Sequence, residues 1–181
     1  MYKGELFELS RVWKEQCLFS LLYSLGEPES YLDIGCGDSY FINLMRARVG
    51  EKNALGVDLD GFEDYVIAHD LRTPLYLNRV FDMVVSLEVG EHLPEESADT
   101  YCDTLARHTQ KWLVFSAAHI NQGGWQHINC QNKDYWLEKL TNRELKFLPG
   151  ITEQIVLAWK PFVPNGCSWA YENLMIFCRI N

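Results

Sequence analysis

The chain has 181 residues, a formal net charge of −9 and 48% hydrophobic residues. That length suits one domain with a single sizeable core, and the acidic balance disfavours nucleic acid, whose binding draws on lysine and arginine contacts to phosphate. No apolar run reaches membrane-spanning length, and the opening residues MYKGELFELSR lack the apolar core of a secretion signal. The expectation is a cytoplasmic protein that does not meet a membrane.

An amphipathic helical pattern runs from Glu5 to Leu25, with Trp13 and Phe19 on or near its apolar face, and Gly26 and Pro28 stop it. Tyr31 to Tyr40 then reads YLDIGCGDSY: an apolar strand carrying Asp33 near its end, a turn with Gly35 and Gly37, and a helical pattern (Phe41, Ile42, Leu44, Met45). A strand, glycine turn and helix N-terminus in succession present backbone N–H groups to a ligand. Glycine there admits backbone angles and a close approach that a Cβ forbids. Asp38 or Ser39 is placed to cap the helix.

The next strand, within ALGVDLD (Ala54 to Asp60), ends at Asp58. Asp58 lies about 20 residues past the glycine turn, the separation at which a carboxylate reaches ribose hydroxyls and accepts two hydrogen bonds from a vicinal diol. Gly61 to Asp64 is too short for a crossover helix, so the passage to a third strand, Tyr65 to Ala68, reduces to a turn. His69, Asp70 and Leu71 follow. Phe81 to Leu87 is a nearly continuous apolar run, as in a strand buried on both faces, and leads into EVGEHLP, Glu88 to Pro94.

A helix is expected near Glu95 to His108, a fifth strand over Trp112 to Ala117, and a further helix over Lys133 to Thr141. Between the last two lies AAHINQGGWQHINCQNKDYW, with His119, His127, Gly123, Gly124, Trp125 and several amides. Loops at the carboxyl ends of parallel strands form the binding crevice of an open α/β sheet, so this one reads as an acceptor contact or lid. Ile155 to Trp159 and Leu174 to Arg179 read as two late strands, joined by the loop Lys160 to Tyr171. His119, His127 and Cys130 lie near one another, but no CxxC pair occurs. A closed zinc site wants four ligands in recognisable spacing, so no metal is expected. The six scattered cysteines read as thiols in a reducing compartment.

The dinucleotide fingerprint G-x-G-x-x-G/A fails here, because Tyr40 stands where its third small residue belongs. Acidic-x-G-x-G at Asp33 to Gly37 instead resembles the first motif of class I S-adenosylmethionine-dependent methyltransferases, with Ser39 in place of the third glycine common in that family. The resemblance implies a Rossmann-like, mostly parallel seven-stranded sheet with helices on both faces, a C-terminal antiparallel hairpin and the shortened second crossover. It divides the single domain into an N-terminal helix (1–28), a cofactor half (29–93) and a substrate-side half (94–181). It implies S-adenosylmethionine as cofactor: Asp33, Gly35, Cys36 and Gly37 under the methionine part, Asp58 and Leu59 at the ribose, Asp70 and Leu71 at the adenine, Leu87 and Glu88 beside the sulfonium. Glu88, Glu91 and His92 fall in the reacting neighbourhood, and Glu88, His92, His119 and His127 are candidates for a base.

The implied activity is methyl transfer to a small-molecule acceptor, a sugar or metabolite hydroxyl being suited to Trp125 and its neighbouring amides. A nucleic-acid amino group is disfavoured because EVGE replaces the N/D-P-P-Y/F tetrapeptide of such enzymes. Two rival readings stand beside it: a non-catalytic cofactor-binding subunit that stimulates a partner, and an NAD-binding oxidoreductase. A homo-oligomer or a protein partner is open in either case.

Overall fold

The computed structural model describes residues 3–180, with side chains from residue 12 onward. Helix α1 (Lys3–Leu25) precedes β1 (Tyr31–Ile34), α2 (Tyr40–Val49), β2 (Ala54–Asp58), β3 (Val66–Ala68), β4 (Phe81–Leu87), α3 (Ala98–His108) and β5 (Thr109–Ser116). Then come α4 (Lys133–Thr141), β6 (Leu145–Phe147), α5 (Pro149–Trp159), the single-turn α6 (Trp169–Glu172) and β7 (Met175–Arg179). The seven strands form one sheet in the order β3-β2-β1-β4-β5-β7-β6. β1 to β5 run parallel to one another, and β7 runs antiparallel to both β5 and β6.

Period-two alternation along the strands divides the core. Tyr31, Met83, Val85, Val114 and Ile176 face α1, α2 and α5 and bury Leu18, Leu21, Ile42, Ile155 and Trp159 with them. Leu32, Ile34, Val84, Leu113, Phe115 and Phe177 face the other way, onto Tyr101 and Leu105 of α3 and Trp136 and Leu140 of α4. A strand with both faces covered must be apolar throughout, which explains FDMVVSL in β4. Its one buried carboxylate at the opening end, Asp82, accepts the Glu29 amide and pairs with Lys111.

The order of strands reverses between β1 and β4, so the chain leaves their carboxyl ends in opposite directions and opens a crevice there. Ser86 ties the two strands together inside the protein, donating to the Ile34 carbonyl at 2.6 Å and lying 2.6 Å from the Tyr101 hydroxyl. These contacts tie the floor of the crevice across β1, β4 and α3.

Most sequence expectations for the fold hold, including the helix-free passage between β2 and β3 and the helix at Lys133–Thr141. One is corrected. Ile155 to Trp159 is not a strand but the end of α5, which begins with Pro149 in its first turn and buries Thr152, Ile155 and Trp159. Proline suits that turn because its missing N–H has no partner there, and the buried positions follow helical spacing. The sixth strand is instead the three-residue Leu145–Phe147. It pairs antiparallel with β7 as expected at the C-terminal end of the sheet, with α5 and α6 in the connection between them.

Candidate functional site

The turn after β1 is built on left-handed backbone, with φ of +79° at Gly35 and +50° at Gly37. A Cβ at Gly35 would stand 2.3 Å from Val89 Cγ2, whereas one at Gly37 would meet nothing within 4 Å. Gly35 is thus required by packing and conformation, and Gly37 leaves open space above its backbone. The Gly35 and Cys36 amides donate to the Val57 carbonyl, which seats the turn on β2. Helix α2 then starts with the Tyr40 amide donating to Asp38 Oδ1 at 3.2 Å; of the two expected caps, Asp38 makes the contact.

Three carboxylates stand at the ends of three adjacent strands. Asp33 is 4% exposed and, among the described residues, its carboxylate accepts a single long 3.4 Å bond, from the Tyr31 hydroxyl. Burial raises its pKa from the ordinary 3.8 to about 7; the Tyr31 bond opposes this, and the charges of Asp58 and Asp38 reinforce it. A buried carboxylate of this kind is suited to a cationic ligand. Asp58 accepts the Gly37 amide and the Leu59 amide, each at 2.8 Å on a different oxygen. One lone pair per oxygen remains, the number a vicinal diol uses. Asp70 forms a fork with the Arg72 guanidinium, which holds its carboxyl down at about 2.

Two cavities of about 330 and 620 Å³ flank this row. Asp33, Cys36, Gly37 and Leu87 line the first, together with Trp13 and Lys14 of α1 and Trp169. Asp58, Leu59, Asp70, Leu71 and His92 line the second. Gly35 and Glu88 line both, so the two form one cleft with a waist at the β1–β4 switch. Every residue that the sequence assigns to a cofactor faces this cleft.

Glu88 is held in place. Its φ is +55°, a conformation that non-glycine residues adopt at some cost, and its amide donates to the Ser116 carbonyl at 3.0 Å. Its carboxylate accepts from Gln122 Nε2 at 2.9 Å and from Asn173 Nδ2 at 3.1 and 3.2 Å. Neither amide was singled out in the sequence. Asn173 lies 85 residues away, and no local motif marks it.

The other base candidates separate. His119 lines a third cavity with Asn121, Gln122, Trp169 and Asn173. His92 and His127 come together edge to face, their ring centres 4.9 Å apart, beside the fully buried Glu91. Burial drives the Glu91 carboxyl up to about 8, and the neighbouring Glu88 charge adds to it. Burial and the adjacent His127 lower the pKa of His92. Cys130 approaches His127 Nδ1 at 3.7 Å, while Trp125 projects outward, 81% exposed.

A family model described as a methyltransferase domain matches residues 8–170. The chain therefore belongs to the methyltransferase-domain family, within the class I S-adenosylmethionine-dependent methyltransferases. Solved structures share the fold at low identity. DesVI of Streptomyces venezuelae superposes with a TM-score of 0.68 at 14% identity, over 98% of this chain and 96% of that one. An O-methyltransferase from a trans-AT PKS multienzyme of Brevibacillus brevis, in complex with S-adenosyl-L-homocysteine, gives 0.63 at 13%, over 98% and 76%. The plantazolicin methyltransferase BpumL, in complex with a desmethylPZN analogue and SAH, gives 0.62 at 11%, over 96% and 86%. No curated protein matches the chain. Among the described residues, no helix is long and apolar enough to cross a membrane.

Proposed function

We propose that this protein methylates a hydroxyl of a small metabolite, a sugar among the candidates, from S-adenosylmethionine seated across the two-part cleft. One observation carries the reading: the cavities meet at Gly35 and Glu88, with Asp33 on one side and Asp58 and Asp70 on the other. Asp33 would take the cofactor's ammonium, the open backbone at Gly37 its methionine chain, Asp58 the ribose diol, and Leu71 with Asp70 the adenine. The cofactor supplies an already electrophilic methyl group, so the protein's task is chiefly alignment.

The third cavity supports a polar acceptor of modest size. It presents His119, Gln122 and Asn173 beside Trp169, and the last two amides grip Glu88 at the waist of the cleft. Amide donors with an aromatic face suit a hydroxylated ring. The net charge of −9 speaks against nucleic acid, and six free cysteines support a reducing compartment such as the cytoplasm.

The test is calorimetric titration with S-adenosylmethionine, S-adenosylhomocysteine and NAD, repeated on Asp58→Ala, followed by transfer of a labelled methyl to hydroxylated metabolites. Micromolar binding of both sulfur compounds, lost in the variant, is the expected result. Preference for NAD would overturn the reading. Tight cofactor binding without transfer to any acceptor, unless a partner is added, would convert the protein into a stimulatory subunit.

A further inference from the structure

Glu91, His92 and His127 each direct one ligand atom into a common space, all within 4.8 Å of one another. The 3-10 turn Gly90–His92 and the loop after β5 are locked together by the Ile128 and Asn129 amides, which donate to the Glu91 carbonyl at 2.9 and 3.0 Å. Three further features single out this cluster. Glu91 is 0% exposed, and the approaches to its carboxyl from its own backbone, the Ala118 backbone and the Glu88 side chain fall short of ordinary hydrogen-bond geometry. An unsatisfied buried carboxylate is costly and rare. His127 Nδ1 lies 3.3 Å from the Gln122 carbonyl, an acceptor only, so Nδ1 donates and the Nε2 lone pair is turned inward, 4.0 Å from Glu91 Oε1. Nε2 and Oε1 thus face each other across a gap too wide for a direct hydrogen bond. Finally, a Cβ at Gly124 would stand 2.2 Å from the His127 ring, so a glycine at that position is what lets the ring sit there.

A histidine whose far nitrogen is fixed by a carbonyl, with its near nitrogen facing a carboxylate, is the usual setting of a metal-ligating imidazole. We infer that Glu91, His92 and His127 bind a divalent transition-metal cation at the wall of the cleft. Two imidazoles and a carboxylate favour zinc, iron or cobalt over magnesium, which prefers oxygen ligands throughout. A three-residue set leaves coordination positions free, and His92 borders the cavity that shares Glu88 with the methionine side. The open positions would be filled by water or by a ligand entering from that cavity.

The experiment uses the whole chain, dialysed against a chelator, and titrated with Co²⁺, Zn²⁺, Mn²⁺ and Mg²⁺ by calorimetry. Visible absorption of the Co²⁺ form is recorded in parallel. S-adenosylhomocysteine binding by the same samples reports on the fold and the cofactor cleft. One equivalent of Co²⁺ with ligand-field bands is expected, with Zn²⁺ bound more tightly than Mn²⁺ and Mg²⁺ weakest. Glu91→Gln should weaken Co²⁺ binding by more than about tenfold. Gly124→Ala, which reaches His127 only through its ring, should do the same while still binding S-adenosylhomocysteine. A protein that binds S-adenosylhomocysteine but no transition metal would overturn the site and leave the methyltransferase reading standing. Metal binding unchanged in both variants would overturn it too, and metal binding without S-adenosylhomocysteine binding would instead remove the cofactor reading.

Discussion

Replacing Asp33 with asparagine should stabilise the free protein and cripple it at the same time. The carboxyl is 4% exposed and its pKa is raised from 3.8 to about 7, chiefly by burial. At about 1.4 kcal/mol per pH unit, that displacement represents about 4 kcal/mol. The sign follows from the direction. A raised acid pKa favours folding fully below 3.8 and loses that advantage as pH climbs through about 7. An asparagine does not titrate, so relative to the native protein the variant gains stability as pH rises. Integrating the linkage between pH 5 and pH 8 gives a relative gain of about 2–3 kcal/mol, or roughly 4–12 °C in Tm for a chain of this size. An amide left partly unsatisfied subtracts a pH-independent 1–3 kcal/mol or so, which is why the difference between the two pH values is the quantity to measure. Removing one partner of a buried charge pair should also weaken S-adenosylhomocysteine binding by about 2 kcal/mol or more, at least about 30-fold. Denaturant unfolding at pH 5 and pH 8, with calorimetry at pH 7, tests both effects. A stability difference that is the same at both pH values would refute the buried-acid argument, and unchanged affinity would refute the ammonium assignment.

Cofactor affinity of the native protein should fall by up to tenfold per pH unit from pH 7 to pH 5.5, because Asp33 must release its proton to pair with an ammonium; proton release measured in two buffers of different ionisation enthalpy checks this. Gly35→Ala should cost about 2 kcal/mol or more in unfolding free energy, since φ is +79° and the new Cβ would lie 2.3 Å from Val89; equal stability to the native chain would mean that the turn relaxes freely. Arg72→Ala should let the Asp70 carboxyl rise from about 2 toward its ordinary range, a change readable by carbon NMR titration; a carboxyl that stays low would show that backbone amides, not the guanidinium, hold it.

Why some of this was legible in the sequence and some was not has a physical answer. Asp33, Gly35, Gly37 and Asp58 sit at strand ends, where chain position alone fixes spatial position: β1 and β2 pair in register from Tyr31 with Ala54, so acids at their carboxyl ends must be neighbours. Helix α5 is hidden in the sequence because IVLAW is a short apolar run, which periodicity cannot assign to strand or helix. The deciding signals were Pro149 and the helical spacing of Thr152, Ile155 and Trp159, and both lie partly outside the run. Strand β6, with three residues and one of them Lys146, offered no pattern to detect.

The loop after β5 presents the harder case, and it is where the chemistry concentrates. Its composition announced a site, yet nothing in the order of its residues separates His119 from His127. Their fates are set by contacts far along the chain. The Glu91 carbonyl captures two amides from 37 and 38 residues away and swings His127 against His92, while His119 stays on the opposite side of Gln122, facing Asn173 and Trp169. Gln122 joins the two arrangements, its side chain donating to Glu88 and its carbonyl fixing His127. Gln122→Ala should therefore separate them. It would loosen the carboxylate at the waist of the cleft without altering the backbone bond that sets the His127 ring. If the two arrangements are independent, acceptor turnover falls while metal affinity stays within about threefold, because the Nδ1 partner is main chain. Replacing Gly124 should do the reverse, lowering metal affinity first. Equal losses in both variants would mean that the loop simply unfolds, and that its two histidines have no separable roles.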